Sequence, residues 1–188
     1  MEFINLLENM KKDYSNDILI RENKTLLLGL GKTPKCRHML FAPLMKEHIA
    51  EFLVSDYKRT FPTEYIDFLM YSNGANLCAE LIEINGFKLA HSMFVLYGLP
   101  LTQPLGRPHD MEEPFDIRIE DLSRHKNIPE TWLKCGTYVI ENSYEDIDIF
   151  IDTETKIVNS CAKNTDKIIS TWNDIDSCFC YLFNLLNK

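Results

Sequence analysis

The sequence predicts an α+β domain, with helices packed around a mixed, mainly antiparallel sheet, and three observations carry that prediction. Apolar residues recur at helical spacing in the amino-terminal, middle and carboxyl-terminal thirds of the chain. Between them, Ile147, Ile149 and Ile151 alternate with Asp146, Asp148, Phe150 and Asp152, the period-two pattern of a half-buried strand. A length of 188 residues, 45% of them apolar and 26% charged, suits one domain with a sizeable core, and no internal repeat divides it.

The elements follow in order. Phe3, Leu6, Leu7 and Met10 make one apolar stripe, so Phe3–Lys12 is expected to be a short amphipathic helix. TLLLGLGKTPK reads as a strand or a covering loop. A helix is expected from Pro43, with Met45, Ile49, Phe52, Leu53 and Tyr57 on its buried side. After Phe61 a second helix starts at Pro62, where the missing N–H has no partner to lose. Tyr65, Phe68 and Leu69 face inward on it, and Asn73–Gly74 stops it because glycine tolerates positive φ.

Asn85–Gly86 lies between Leu81–Ile84 and Phe87–Ala90, the strongest short-range hairpin signal in the chain. A Pro-rich acidic connection runs from Leu99 to Asp121, Pro129–Leu133 reads as a helical turn, and Thr137–Asp152 as one or two strands. Asp152–Thr155 is expected to turn into a strand at Ile157–Cys161. A last helix begins near Asn173, with Ile175, Phe179, Leu182 and Leu186 inward and Asn173 and Asp176 placed as a capping pair.

Charge narrows the function. Residues 1–60 carry 10 basic and 8 acidic groups, a net of +2, and residues 61–188 carry 10 and 20, a net of −10, which together give −8. That balance disfavours a nucleic-acid binder, which needs a basic face to neutralise phosphates. The opening MEFINLLENMKK lacks the basic start and unbroken apolar stretch of a signal peptide, and the run Met93–Leu101 is broken by Gly98 and Pro100. A soluble protein of the cytoplasm is therefore expected, without membrane attachment. The six cysteines are scattered, with no C-x-x-C pair; Cys178 and Cys180 would lie roughly 200° apart on a helix. Reduced thiols acting as small core residues are the expectation.

Catalytic signatures are sparse. Gly29–Thr33 (GLGKT) ends like a phosphate loop, but Leu26 stands where the first glycine belongs and Pro34 spoils the dinucleotide alternative, so an ordinary turn is expected. There is no Gly-x-Ser-x-Gly elbow and no His-Glu-x-x-His helix. His38, His48, His91, His109 and His125 are expected to be surface or hydrogen-bonded structural residues. Glu145, Asp146, Asp148, Asp152 and Glu154 could offer oxygens to calcium, but the isoleucines between them demand an extended chain rather than a turning loop. No catalytic residue, cofactor or metal site is expected.

FPTEYIDFLMYSNGANL (Phe61–Leu77) resembles the signature of the SUKH superfamily, the Smi/Knr-like domains, at Phe61, Pro62, Tyr65, Phe68, Leu69, Asn73 and Gly74. VLYGLP (Val95–Pro100), FDIRIEDLSRHKNIPETWLKCGTY (Phe115–Tyr138), IDIFIDTETKIV (Ile147–Val158) and TWNDIDSCFCYLFNLL (Thr171–Leu186) extend the likeness in order. It covers residues 43–187; residues 1–42, an amino-terminal helix and extension, have no counterpart. The resemblance implies a mixed sheet, no common catalytic residue and, for bacterial members, service as immunity proteins that neutralise toxins, often nucleases. Fungal members are regulatory scaffolds linked to cell-wall synthesis.

Function is therefore expected in the binding of a protein, with a toxin domain of basic surface as the leading partner. A regulatory scaffold is the alternative, and a hydrolase with a dispersed site the rival from another class. The stretches 110–121 and 141–154 together hold twelve of the 28 acidic residues. The candidate contact residues are Tyr97, Glu112, Glu113, Asp116, Glu145, Asp146, Asp148 and Asp152, a negative patch that would hasten encounter with a basic partner. The oligomeric state is not readable from the sequence.

Overall fold

The computed structural model describes residues 1–21, 24–33, 36–46, 49, 61–79, 81–86, 128–140, 145–163 and 165–186. Among them are three helices, α1 (Glu2–Asp13), α2 (Thr63–Tyr71) and α3 (Ile175–Leu186). Nine strands accompany them: β1 (Ile18–Ile20), β2 (Leu26–Leu28), β3 (His38–Leu40), β4 (Ala75–Leu77), β5 (Ile82–Ile84), β6 (Trp132–Ile140), β7 (Glu145–Asp152), β8 (Val158–Ala162) and β9 (Ile168–Trp172). The α+β class holds. Strand order in the sheet equals chain order, and every described pairing is antiparallel, where a mixed sheet was expected.

One apolar cluster joins the helices to the sheet. Phe3, Leu7 and Met10 of α1, Tyr65, Phe68 and Leu69 of α2, and Ile175, Phe179, Leu182 and Phe183 of α3 meet Leu28, Leu40, Leu77, Ile82, Ile84, Leu133, Ile147, Ile149, Ile151 and Val158. Phe3 lies at its centre, with ring centroids 5.8 Å from Phe68, 5.3 Å from Phe179 and 6.1 Å from Phe183. The segment set apart as an extension thus supplies core residues and three strands of the same sheet. Its helix is also tied on by charge: the Asp176 carboxylate accepts the Glu2 and Phe3 N–H groups at 2.8 and 2.9 Å, two donors with no partner inside α1. Asp176 therefore does not join Asn173 in capping α3. Asp174 takes that role, accepting the Ser177 N–H at 2.7 Å.

The helix stop after α2 is as expected, with Gly74 at φ 91° and the Ser72 hydroxyl donating to the carbonyls of Phe41 and Gly74. Asn85–Gly86 behaves differently from the two-residue turn expected of it. Asn85 is buried and extends the β5–β6 ladder, its N–H reaching the Cys135 carbonyl at 2.9 Å and its side-chain amide the Lys134 carbonyl at 3.2 Å. Gly86 is not among the positive-φ glycines, so the type I′ geometry is absent. Its lack of a side chain serves close packing instead, since a Cβ there would stand 2.2 Å from the Asn73 carbonyl oxygen. The expected second arm, Phe87–Ala90, lies outside the described residues.

Other differences are local. Pro129–Trp132 closes a turn, and β6 already begins at Trp132. Met45 is 52% exposed although Ile49 is buried, and the remaining residues of that expected helical stripe lie outside the described residues. Trp172 closes β9 against Tyr181 and the core, with α3 beginning three residues later.

Candidate functional site

The acidic hairpin expected to carry function is β7 with its flanking turn. Its core-facing isoleucines are fully buried as the alternation predicts, but Asp148 and Phe150 on the opposite face are buried too. A strand paired on both sides and covered on both faces is a central strand, so the solvated acidic face expected over Asp146, Asp148 and Asp152 is interrupted in its middle.

Asp148 is 1% exposed and meets the Lys134 ammonium of β6 at 2.8 Å, so it is not a surface contact residue. Asp146 is partly exposed and pairs with Lys163, just after β8; this hydrogen bond, helped by the neighbouring carboxylates and opposed by burial, raises the Lys163 pKa. Glu145 opens β7 and is exposed. Asp152, at the other end, turns its carboxylate onto the Glu154 and Thr155 N–H groups at 2.9 and 3.4 Å. Partial burial pushes its pKa up, but those bonds and others from threonines outweigh it and hold the carboxyl below its usual value. At about 3.4 Å per residue, Glu145 and Asp152 stand roughly 24 Å apart. They form two acidic ends, not one patch. Tyr97, Glu112, Glu113 and Asp116 lie outside the described residues.

The register shows what a linear count misses. Asn76, Glu83, Thr137, Asp148 and Cys161 are successive cross-strand neighbours from β4 to β8, so they form one row. Within it the Thr137 hydroxyl donates to Glu83 at 3.1 Å. Residues 141–154 contain no basic residue, yet Lys134 and Lys163 enter from the adjoining strands and offset two of the acids. Lys134 was legible only as the polar member of an alternating WLKCGTYV segment, and nothing local marks its partner.

Elsewhere, the Gly29–Thr33 turn carries no phosphate-loop geometry. The Asp17 carboxylate accepts the Gly31 N–H at 3.1 Å, placing negative charge where a phosphate would have to sit. His38 is buried and its Nδ1 accepts the Cys78 N–H at 3.2 Å, so the neutral ring carries its proton on Nε2. Burial lowers its pKa to about 4. His48, His91, His109 and His125 lie outside the described residues. Among the described residues, no three His, Cys, Asp or Glu side chains converge as metal ligands, and no helix is long and apolar enough to cross a membrane. Comparison with protein-family models, with curated proteins and with solved structures finds no match.

Proposed function

We propose that this chain is a non-catalytic, cytoplasmic protein-binding module of the SUKH type that captures a toxin domain with a basic surface and neutralises it. The observation that carries the reading is the ordered series from Phe61 to Trp172. Its support in the fold is local: a helix led by Pro62, Tyr65, Phe68 and Leu69 in the core, a stop at Gly74 feeding a strand, and Trp172 just ahead of the last helix. The net −10 of residues 61–188 adds electrostatic complementarity to a basic partner, of which a nuclease domain is one class.

Within β7 the contact surface narrows to Glu145 and Asp146 at one end and Asp152 at the other, since Asp148 is buried against Lys134. Co-expression with toxin domains encoded beside the gene tests the proposal: the toxin should be neutralised and should co-purify, and a toxin that does neither ends the immunity reading. With the captured toxin, reversing Glu145 and Asp146 to lysine should lower the association rate several-fold and flatten its salt dependence. An unchanged rate in stopped-flow mixing removes this end of β7 from the interface.

A further inference from the structure

β1 ends the sheet on an open edge. It pairs with β2 through Ile18 opposite Leu28, Leu19 opposite Leu27 and Ile20 opposite Leu26, and no described strand lies on its other side. The hydrogen bonds that flank this ladder fix which backbone groups face outward. The Gly29 N–H donates to the Asp17 carbonyl at 3.1 Å and the Arg21 N–H to the Thr25 carbonyl at 2.9 Å, so Asp17 and Arg21 turn their backbone towards β2. Antiparallel strands alternate, so Leu19 does the same, whereas Ile18 and Ile20 turn N–H and C=O to the open edge. Among the described residues those outward groups meet no partner.

The side chains leave this edge uncovered as well, with Leu19 50% and Ile20 63% exposed. An apolar edge strand with unmade backbone bonds is a template for one more strand. β9, at the opposite edge, also exposes isoleucines, but it is blunted: Ile169 bulges out of its register with β8, and Lys167 stands just before it. The register of β1 is unbroken.

Charge selects the occupant. The segment Asp17-Ile18-Leu19-Ile20-Arg21 runs acid, three apolar residues, base, and is therefore complementary to itself in reverse. In an antiparallel pair about a dyad at Leu19, Ile18 of one copy faces Ile20 of the other. These are the residues whose N–H and C=O point outward, so each facing pair exchanges both backbone hydrogen bonds. Leu19 meets its own counterpart on one face, Ile18 and Ile20 cover each other on the opposite face, and Asp17 stands opposite Arg21 at both ends. A slip of one residue sets outward groups against inward ones, and a slip of two keeps the bonds but separates the charges.

We infer that β1 is a dimerisation edge, through which two copies of this chain join by antiparallel β1–β1 pairing about Leu19. The contact is isologous and closes at two subunits. Three residues a side make it small, below the roughly 1,000 Å² typical of stable complexes, so the dimer forms between about 10 μM and about 1 mM.

Sedimentation velocity of the full chain across that range, with amide exchange followed by NMR at both ends of it, tests the edge. The expected result is a shift from one copy to two. Exchange at the Ile18 and Ile20 amides should slow several-fold with concentration, while the Leu19 amide, already bonded to β2, should not change. Asp17→Lys and Arg21→Glu should each weaken dimerisation about tenfold, since each sets like charges opposite one another at both ends. Mixed together, the two variants should form a mixed dimer about as tight as the wild-type one, because every charged pair is then of opposite sign. Ile169→Lys on β9 should leave the dimer intact. A wild-type chain that stays monomeric at about 1 mM, or that dimerises without slowing Ile18 and Ile20 exchange, overturns the inference whether or not the variants fold. Folded charge variants that stay apart when mixed, or a dimer lost on Ile169→Lys, overturn it as well.

Discussion

Replacing Lys134 with methionine should destabilise the fold by about 3–5 kcal/mol, because it strands Asp148 inside the sheet without the ammonium that faces it. The gross attraction is large: at 2.8 Å and an effective dielectric near 20 it amounts to about 6 kcal/mol. Desolvation offsets much of that gain while both charges are present, with side chains 14% and 2% exposed. Removing only the lysine leaves the cost on the carboxylate and takes away its compensation. With a urea m-value of about 2 kcal/mol/M, the unfolding midpoint should fall by roughly 2 M. Lys163→Met, which breaks the exposed pair with Asp146, should cost about 0–1 kcal/mol and serves as the control. Pairing Lys134→Met with Asp148→Leu should recover most of the loss. A midpoint shift below about 0.5 M for Lys134→Met alone would refute the reasoning and return Asp148 to the candidate contact surface.

His38 binds its proton less readily in the folded chain than in the unfolded one, so unfolding free energy is intact above the unfolded value of 6.5 and declines as pH falls towards about 4. The decline should reach about 3 kcal/mol, and the wild-type curve from urea titrations should lose that slope in His38→Gln; parallel curves would contradict it. Gly86→Ala forces a methyl group to within 2.2 Å of a backbone carbonyl and should cost about 1–3 kcal/mol or more in thermal unfolding, whereas a neutral effect would show that Asn73 can yield. Asp176→Ala removes the acceptor for two N–H groups of α1 and should cost about 0.5–2 kcal/mol, with faster hydrogen exchange in Glu2–Asp13 than in α3.

Much of the local structure was readable because it depends on neighbours in the chain. Apolar spacing located α1, α2 and α3 within a few residues, and Tyr65, Phe68 and Leu69 are buried as their spacing requires. The turn at Asp152 and the stop at Gly74 follow from side chains or backbone freedom a few residues away. Asn85–Gly86 misled for a related reason. Its composition permits a tight turn, but the contacts that decide its conformation come from Asn73, Lys134 and Cys135.

The candidate site was less legible. Alternation in YEDIDIFID separates two faces but cannot say whether the second face meets water, since that depends on how many elements cover the sheet. The acidic count of 141–154 was sound as a sum and incomplete as a potential, because Lys134 and Lys163 are neighbours only through strand pairing.

By itself the sequence determined the α+β class, the helix faces, the main turns and the acidic bias of residues 61–188, all set by local periodicity, backbone freedom and composition. Only the tertiary structure decided that the first 40 residues share the core, that Asp148 is a buried ion-pair partner, and that the acids of β7 separate into two ends. Those are matters of burial and cross-strand register, which bring together residues far apart in the chain.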